Sequence, residues 1–394
     1  MSSLPTIDEA RARVLDAVTA LGLEEIPVAQ ALDRALAEDV IAGHDIPRFS
    51  NSAMDGFAVR APAAGRTLRI VGEARAGAPA TVAVGDGEAV RISTGAAMPD
   101  GAQTVVPVER TDESDGEVTL QARAGARAGQ HVRGPGEDLR AGATVLRAGC
   151  RLGPAELGLA VEAGRATLRC ARVPRVGVLA TGDELIAPGE PLGPGQLHDS
   201  NVVALAALTR RAGAEVVLTE HVGDDAKATR DAIARALGTA DVVVLTGGVS
   251  VGPHDHVKPA LAALGVEEVL WRVALRPGKP LWFGRDEQRL VFGLPGNPVS
   301  AMVTFLLFAR PALDALQGLP APPVRTRAVL TEAVARVGER EDCVRVRLVG
   351  DRATPTGPQG SHMLSSMLGA DALAIIPRGE GDLPAGAAVE IELI

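Results

Sequence analysis

The chain has 394 residues, a length that suggests two to four domains, and its 46% hydrophobic and 23% charged residues are ordinary for a globular protein. Aromatic residues make up only 2%, with no tyrosine, so surfaces for stacking nucleic-acid bases are nearly absent. The net charge of −9 also argues against a nucleic-acid binder, and any anionic ligand would need a local cationic site.

Cysteine usage and hydropathy indicate the compartment. Cys150, Cys170 and Cys343 are far apart and form no CxxC motif, which favours a reducing environment and excludes a disulfide framework or a zinc site. The N-terminus lacks the basic and apolar regions of a signal peptide, and charged residues and a proline interrupt the longest apolar stretch, near 299–316. We expect a cytoplasmic protein without a membrane span.

The first part of the chain predicts a helical domain that is interrupted by a β domain. Thr6 and Glu9 form a capping box for a first helix, and a second short helix is expected over 28–38. Short apolar runs separated by Gly, Pro and Asp then predict a small β domain over 47–135. After this β domain the sequence becomes Gly-rich and then again has a helical pattern. We therefore assign 1–46 and 136–173 to one domain, into which the β domain is inserted.

The second half predicts an α/β domain followed by another β domain. Over 174–319, apolar strands alternate with helices, which is typical of a three-layer domain with a mostly parallel sheet. Asp199, Ser200 or Asn201 is expected to cap one of these helices. Short strands return over 320–394 and predict a barrel-like C-terminal domain. The fold class is therefore multidomain α/β plus β.

Three polar loops follow apolar strands in the α/β domain, at 181–185, 246–255 and 293–300. Ligands of open parallel sheets bind beyond the carboxyl ends of the strands, so these loops are expected to form one composite site.

The loop at 246–255 has the residues of an anion site. Gly247, Gly248 and Gly252 allow close approach of backbone N–H groups, Ser250 adds a hydroxyl, and Asp255 adds a carboxylate that could hold Mg²⁺ beside a phosphate. A tight turn in which Asp255 caps the next helix is an equally good interpretation. The loop does not have the spacing of a P-loop.

The other two loops allow similar alternatives. In the first loop, either Thr181 or Asp183 caps a helix, or Asp183 and Glu184 face a ligand. The Pro- and Gly-rich segment that follows argues against a helix and favours the ligand. Pro298 can begin a helix, and Ser300 with the first-turn N–H groups could face an anion.

Cations are concentrated over 271–280, where Arg272, Arg276 and Lys279 lie within eight residues of an otherwise acidic chain. The segment is either a preorganised oxyanion site or a solvated hairpin edge. The polar turns at 49–60 and 136–139 give no catalytic indication by spacing alone.

Eight segments occur in an order that resembles the molybdopterin molybdenumtransferases, bacterial relatives of the gephyrin C-terminal domain. They cover nearly the whole chain and are NSAMDGFAVR (51–60), STGAAMP (93–99), GEDL (136–139), ATGDELIAPGEPLGPGQLHDSN (180–201), TGGVSVGPHDHVKPAL (246–261), RPGKP (276–280), GLPGNPVSA (293–301) and QGSHMLSSM (359–367).

The resemblance implies an elongated homodimer of four-domain chains with a shared active site. It implies an enzyme that uses adenylated molybdopterin, molybdate and Mg²⁺, releases AMP and yields molybdenum cofactor. A molybdopterin adenylyltransferase and acceptor molybdoenzymes are the implied protein partners, with neither nucleic acid nor a membrane involved.

The resemblance also implies roles for individual residues. The expected catalytic residues are Asp55, Glu184 and Asp255, of which Glu184 and Asp255 would hold Mg²⁺. The expected contacts of the adenylated substrate are Thr94, Asp138, Asp183, Gly247, Gly248, Ser250 and Pro298. The expected molybdate ligands are Arg276, Lys279, Ser300, Arg345 and Ser365.

Four positions depart from the commoner family pattern. Arg276 stands where many relatives have Lys, His256 where an aromatic residue is frequent, Cys343 where Phe is usual, and His362 where Gly is frequent. Arginine keeps the charge of lysine but not its geometry.

Three other functions remain open. The α/β domain could adenylate molybdopterin, although adenylyltransferases usually lack NSAMDG, GEDL and a C-terminal barrel. A peptide-binding scaffold would not need the cations or Asp255, and a bare nucleotide-binding module is a further alternative. Molybdate and tungstate, both tetrahedral dianions, are not distinguished.

Overall fold

The computed structural model describes residues 4–61, 63–122, 127–249, 255–320 and 325–394. The first helix, α1 (Ile7–Asp16), begins with the expected capping box: the Glu9 N–H donates to Thr6 Oγ1 at 3.1 Å, and the Thr6 N–H donates to the Glu9 carboxylate at 2.8 Å. Its buried face, Ile7, Ala10 and Val14, packs into the core of the α/β unit. The N-terminal helix therefore shares a core with residues far along the chain.

The second expected helix, over 28–38, is wrong. After strand β1 (Leu23–Pro27), only Val28–Gln30 form a 3₁₀ turn, and strand β2 (Val40–Ile41) follows. Between them Leu36 forms a β-bridge with Cys170, and its N–H donates to the Cys150 carbonyl. Pairing with distant backbone thus overrides the helical propensity of this segment.

A β sheet follows, with one apolar cluster around Phe57 and Val106 and a second around Val90. Its order is β7-β4-β6-β5-β9-β8, and β3 pairs with β10 beside it. The strands are β3 (Asn51–Ser52), β4 (Gly56–Val59), β5 (Thr67–Ala74), β6 (Glu88–Ile92), β7 (Thr104–Pro107), β8 (Thr111–Ser114), β9 (Glu117–Leu120) and β10 (Val132–Arg133).

The chain then returns to the first strands. It forms β11 (Thr144–Leu146), α2 (Pro154–Glu162) and β12 (Thr167–Ala171). Strand β11 pairs with β2, and β12 pairs with β1, so the segments on either side of the β sheet pair with each other.

The α/β unit has a six-stranded sheet of order β16-β13-β17-β21-β20-β18. The first four strands are parallel to one another, and β20 pairs antiparallel with β21 on one side and with β18 on the other. Only β20 therefore runs against the other five strands, which confirms the mostly parallel sheet. The elements are β13 (Arg175–Thr181), β14 (Leu185–Ile186), β15 (Leu197–His198), α3 (Ser200–Arg211), β16 (Glu215–Val222), α4 (Ala226–Thr239), β17 (Val242–Thr246), α5 (Val257–Ala263), β18 (Glu267–Trp271), β19 (Leu275–Arg276), β20 (Trp282–Arg285) and β21 (Leu290–Leu294).

One continuous helical run closes this unit. It comprises α6 (Pro298–Thr304), a π-helical segment (Phe305–Ala309) and α7 (Arg310–Leu316). The run is long and apolar enough to cross a membrane by length and composition, but 78% of it is buried inside the protein. Its place in the largest hydrophobic core accounts for its apolar character.

The C-terminal strands close into a five-stranded barrel of order β24-β25-β22-β28-β26, in which β26 pairs back with β24. They are β22 (Thr326–Leu330), β23 (Val334–Ala335), β24 (Glu341–Val349), β25 (Arg352–Pro355), β26 (Ala372–Ile376), β27 (Asp382–Leu383) and β28 (Ala388–Leu393), with a 3₁₀ turn at Leu364–Met367. Strand β19 pairs with β24, so the barrel is joined to the α/β unit. The predicted fold class is confirmed.

A buried ion pair ties the two ends of the chain together. The Arg11 guanidinium of α1 donates to both carboxylate oxygens of Glu392 at 2.7 and 2.8 Å, and to the Leu307 carbonyl at 3.0 Å. Arg325 also donates to Glu392, at 2.8 Å. Helix α1, the π-helical segment and the barrel therefore meet at the Arg11 guanidinium.

Candidate active site

The three loops predicted to form one site lie at the ends of neighbouring strands, because β13, β17 and β21 are adjacent in the sheet. The Asn201 side-chain amide donates to Thr246 Oγ1 at 3.0 Å and to the Gly296 carbonyl at 2.7 Å. Thr246 Oγ1 donates in turn to the Pro295 carbonyl at 3.0 Å. The strand order thus confirms that the three loops are adjacent, and Asn201 and Thr246 link the second loop to the third.

Gly247 and Gly248 are required by this close approach. Both have positive φ, +87° and +61°, a conformation that favours glycine. A Cβ on Gly248 would lie 2.9 Å from Thr181 Oγ1 and 2.8 Å from Val257 Cγ2. The glycines therefore allow the second loop to pack against the first. Ser250 and Gly252, expected to continue this loop toward a ligand, lie outside the described residues.

A cavity of about 710 Å³ opens where the loops meet, and we call it the strand-end cleft. Glu184 and Pro298, two of the expected site residues, line it. Its described lining residues are Glu184, Leu185, Leu197, His198, Asp199, Ser200, Asn201, Gly296, Asn297, Pro298, His362 and Leu364. The cleft combines leucine side chains with polar groups from the α/β unit and the barrel.

A second cavity, of about 500 Å³, contains the expected oxyanion residues, and we call it the cationic pocket. It is lined by Arg276, Pro277, Gly278, Lys279, Pro280, Ser300, Arg340, Gln359, Gly360 and Ser361. Three of these residues are cationic, and none of the described lining residues is acidic. The pocket therefore supplies the local positive charge that an anion needs in this acidic protein.

One barrel segment separates the two cavities. Ser361 lines the cationic pocket, and its neighbour His362 lines the strand-end cleft. Ser361 Oγ accepts a hydrogen bond from the Asn297 amide at 3.1 Å, and its carbonyl accepts one from the Val299 N–H at 3.1 Å. The barrel is thereby fastened to the start of α6, and the two cavities share a wall.

The three cations of the 271–280 segment have different surroundings. Arg276 forms an ion pair with the buried carboxylate of Asp342, whereas the Lys279 side chain is exposed at the pocket. Arg272 lies over the ring of Trp271, with its Cζ 4.1 Å from the ring centroid, and does not line the pocket. The Arg272 guanidinium thus contributes a cation–π contact in this structure.

Arg345, expected to contact molybdate, is fully buried behind the pocket. Its guanidinium donates to Ser366 Oγ at 3.2 Å, to the Cys343 carbonyl at 3.2 Å and to the pocket-lining Gly360 carbonyl at 3.5 Å. Burial lowers the pKa of Arg345, and the nearby Asp342 carboxylate opposes this shift. Ser365 is exposed and lines neither cavity. In this geometry Arg345 supports the pocket wall.

Three other expected residues lie away from both cavities. The Asp55 carboxylate accepts a hydrogen bond from the Thr94 N–H at 2.7 Å, so these two residues lie together. Asp138 is exposed, and its own backbone N–H donates to the Ile46 carbonyl. None of the three lines the strand-end cleft or the cationic pocket. Asp183 is exposed beside the cleft-lining Glu184 and accepts a hydrogen bond from the Asp224 N–H at 2.9 Å.

The four departures from the family pattern have separate places. His256 is the N-cap residue of α5, without a side-chain capping bond, and His362 lines the cleft. Cys343 is buried, which raises the pKa of its thiol well above the usual value, and its carbonyl accepts from Arg345.

The sequence did not identify Arg340, Gln359 and Ser361 as pocket residues. Gln359 and Ser361 belong to the QGSHMLSSM segment, in which only Ser365 had been singled out. Arg340 lies far from the RPGKP segment in sequence, and pairing of β19 with β24 brings the two together. No local pattern marks this arginine; only the barrel's attachment to the α/β unit reveals it.

The fold and the two cavities define a class of protein: a multidomain α/β protein with polar loops at the carboxyl edge of its sheet, where ligands of such sheets bind, and with a β-barrel that contributes residues to both cavities. Comparison with known families agrees along the chain. Residues 5–164 match the MoeA N-terminal region (domain I and II), 177–315 a probable molybdopterin binding domain, and 327–394 the MoeA C-terminal region (domain IV).

Relatives cover the chain from end to end. The molybdopterin molybdenumtransferase of Haemophilus influenzae is 35% identical over 98% of each chain, and molybdopterin molybdenumtransferase 2 of Mycobacterium tuberculosis is 39% identical over 93% of this chain and 94% of its own. A crystal structure of the molybdopterin biosynthesis moeA protein from Pyrococcus horikoshii OT3 superimposes with a TM-score of 0.82, at 28% identity and 100% coverage of both chains.

The chain belongs to the molybdopterin molybdenumtransferase family. Its role is in molybdenum cofactor biosynthesis, as a transferase.

Proposed function

We propose that the protein inserts molybdenum from molybdate into adenylated molybdopterin, releasing AMP and yielding molybdenum cofactor. The observation that carries the proposal is the shared wall between the strand-end cleft and the cationic pocket, built by Ser361 and His362. Two adjacent cavities suit a reaction in which a large organic substrate and a small oxyanion must meet. An adenylyltransferase would supply the first substrate, and acceptor molybdoenzymes would take the product.

The cleft is the proposed site of adenylated molybdopterin. It combines hydrogen-bonding side chains with leucines that can pack against a ring system. Gly247 lies beside the cleft-lining Gly296, since a Cβ on Gly296 would be 3.7 Å from the Gly247 Cα. Asp183, Glu184, Ser250 and Pro298 are the proposed contacts from the same sheet edge. Apolar packing with a few placed polar groups is the usual composition of small-molecule sites.

The cationic pocket is the proposed site of molybdate. Arg276, Lys279 and Arg340 line it, and Ser300 adds a hydroxyl near the start of α6. Charged donors around a dianion neutralise its oxygens, which allows the sulfur atoms of the pterin to approach the metal. Arg345 and Ser365 remain proposed contributors, with Arg345 acting through the Gly360 backbone.

Mg²⁺ is proposed as the cofactor, held by Glu184 and Asp255. Among the described residues, no three His, Cys, Asp or Glu side chains form a ready-made metal site. Magnesium is commonly bound by only one or two carboxylates together with substrate phosphates and water, so these two residues fit its chemistry. The ion would neutralise charge at the adenylate phosphate.

A homodimer is proposed to complete the site. Asp55 and Thr94 form one polar cluster away from both cavities of their own chain, and Asp138 also lies away from them. A twofold axis could bring the same residues of the partner subunit to the cleft.

A cytoplasmic location is proposed as well, and the three free thiols support it.

Subunit mixing tests the shared site. We expect Asp55→Ala and Asp255→Ala chains each to be inactive. An equal mixture, refolded or exchanged together, should recover about a quarter of the wild-type activity, because about half of the dimers are hybrids and one of the two sites in each hybrid is intact. AMP release by the mixture checks this. Absence of recovery despite hybrid formation shown by differently tagged chains, or a monomer in sedimentation, would contradict the shared site.

The reaction itself is tested by incubating the protein with adenylated molybdopterin and Mg²⁺ and then adding molybdate. We expect AMP release to depend on molybdate. ATP consumption with unadenylated molybdopterin, and no response to molybdate, would instead support the adenylation reaction.

Lys279→Ala should raise the molybdate concentration needed for half-maximal AMP release about ten- to a hundredfold, because a charged hydrogen bond contributes roughly 1.5–3 kcal/mol. Binding of the adenylated pterin should change little, and excess molybdate should partly restore the rate. Arg276→Lys should be milder, since the charge is retained. The matched control is Lys227→Ala, which removes a lysine paired with Asp231 on α4. An unchanged molybdate dependence in Lys279→Ala would contradict the pocket assignment.

A further inference from the structure

We propose that Asp342 is a positioning residue that holds the Arg276 guanidinium at the wall of the cationic pocket. The inference rests on the proposed function of that pocket as the oxyanion site. It concerns a carboxylate that lines neither cavity and is carried by the barrel, whereas the cation it holds belongs to the α/β unit.

The backbone fixes the pair. Strand β19 runs parallel to β24, with Arg276 and Asp342 as direct Cα partners. The Glu341 N–H donates to the Ala274 carbonyl at 2.8 Å, which fixes the register beside the pair. The Arg276 guanidinium then donates to the Asp342 carboxylate. Two strands from different units therefore bring the opposite charges together.

Burial makes the arrangement one-sided. The Asp342 side chain is 2% exposed, whereas the Arg276 side chain is 42% exposed and lines the pocket. The carboxylate is therefore fixed by its surroundings, and the cation is fixed by the carboxylate. Because a guanidinium has five N–H donors in a planar fork, donors remain for a ligand after one side is bonded to Asp342.

This distinguishes Arg276 from the other pocket cations. Among the pocket cations of the described chain, an ion pair engages Arg276, and no ion pair or side-chain hydrogen bond engages Lys279 or Arg340. Each long side chain that becomes ordered on binding reduces the affinity. Since Arg276 is already ordered by Asp342, it can meet an anion without that loss.

Asp342 also adds negative charge near the pocket. Its positioning of Arg276 favours anion binding, whereas its charge opposes it. Loss of positioning should weaken anion binding, whereas loss of the negative charge should strengthen it. Because Arg276 is partly exposed, water and salt screen the charge effect, and at about 0.5 M salt the screening length falls to about 4 Å. Positioning should therefore dominate at that ionic strength.

The test is a double-mutant cycle, assayed by molybdate-dependent AMP release at about 0.5 M salt. Asp342→Asn should raise the KM for molybdate about two- to tenfold, the effect of ordering one long side chain, with kcat changed less than about twofold. In an Arg276→Gln background the same change should have no further effect, because Asp342 acts through Arg276. Asp371→Asn is the matched control, since that barrel carboxylate accepts from the Leu348 N–H.

Two results would overturn the inference: a lower KM in Asp342→Asn, or an equal effect with and without Arg276. If Asp342→Asn does not fold, Asp342→Glu keeps the charge but displaces the guanidinium, so a raised KM supports positioning and an unchanged KM refutes it.

Calorimetric titration with molybdate separates this inference from the proposed reaction. If Asp342→Asn binds molybdate more weakly than the wild type, but the wild type releases no AMP, the positioning role is retained and the proposed reaction is refuted. No binding by the wild type would refute both.

Discussion

Asp255→Asn should slow molybdate-dependent AMP release about a hundredfold or more and leave the fold intact, because the loss of a main electrostatic contact in an active site has this magnitude. Asp255 follows the loop at the end of β17, two residues before α5 begins. His256, between Asp255 and α5, is the N-cap residue of that helix. Asparagine keeps the size of the side chain and removes the charge proposed to hold Mg²⁺.

The measurement is single-turnover AMP release at saturating molybdate, with circular dichroism as the check on folding. Asp231→Asn, which removes an exposed carboxylate paired with Lys227 on α4, is the matched control and should retain full activity. A folded Asp255→Asn protein with wild-type turnover would refute the role of Asp255. Raising the Mg²⁺ concentration should restore part of the lost rate if the carboxylate acts through the ion.

Glu392→Gln should lower the free energy of unfolding by about 3–5 kcal/mol, the usual consequence of removing one partner of a buried ion pair. Glu392 is 1% exposed and accepts from both Arg11 and Arg325. Glutamine keeps the shape but leaves Arg11, whose side chain is 4% exposed, without its full countercharge.

The control for this prediction lies on the same strand. Glu390 pairs with Arg325 at 3.0 Å but is 50% exposed, so Glu390→Gln should change stability by less than about 1 kcal/mol. Urea unfolding of both variants checks the difference. An equal free energy of unfolding in the two variants would show that the burial of Glu392 does not increase its contribution to stability.

Much of the fold could be predicted from local patterns. The capping box of α1, the alternation of strands and helices after 174 and the short strands of the barrel all depend on neighbouring residues, and the structure confirms them. The segment 28–38 could not be predicted in this way. Its helical composition is overridden by the bridge between Leu36 and Cys170, two residues that are far apart in the sequence.

The same limit applies to the site. Shared position at strand ends predicted that the loops around Thr181, Thr246 and Gly296 would meet, because parallel strands end at one edge of a sheet. Arg340 and Asp342 were missed because their relation to Arg276 depends on pairing between β19 and β24. Such pairing between separate units leaves no periodic signal in either segment.

The packing of α1 has a consequence for how the protein is made. This helix is synthesised long before its partners, because Leu307 of the π-helical segment and Glu392 follow Arg11 by 296 and 381 residues. The apolar face of Ile7, Ala10 and Val14 must therefore remain without its final partners through most of translation, when exposed apolar surface favours misassembly. The packing of α1 is thus completed only after the helical run at 298–316 and strand β28 are available, and a chain truncated before them would leave this apolar face incompletely covered.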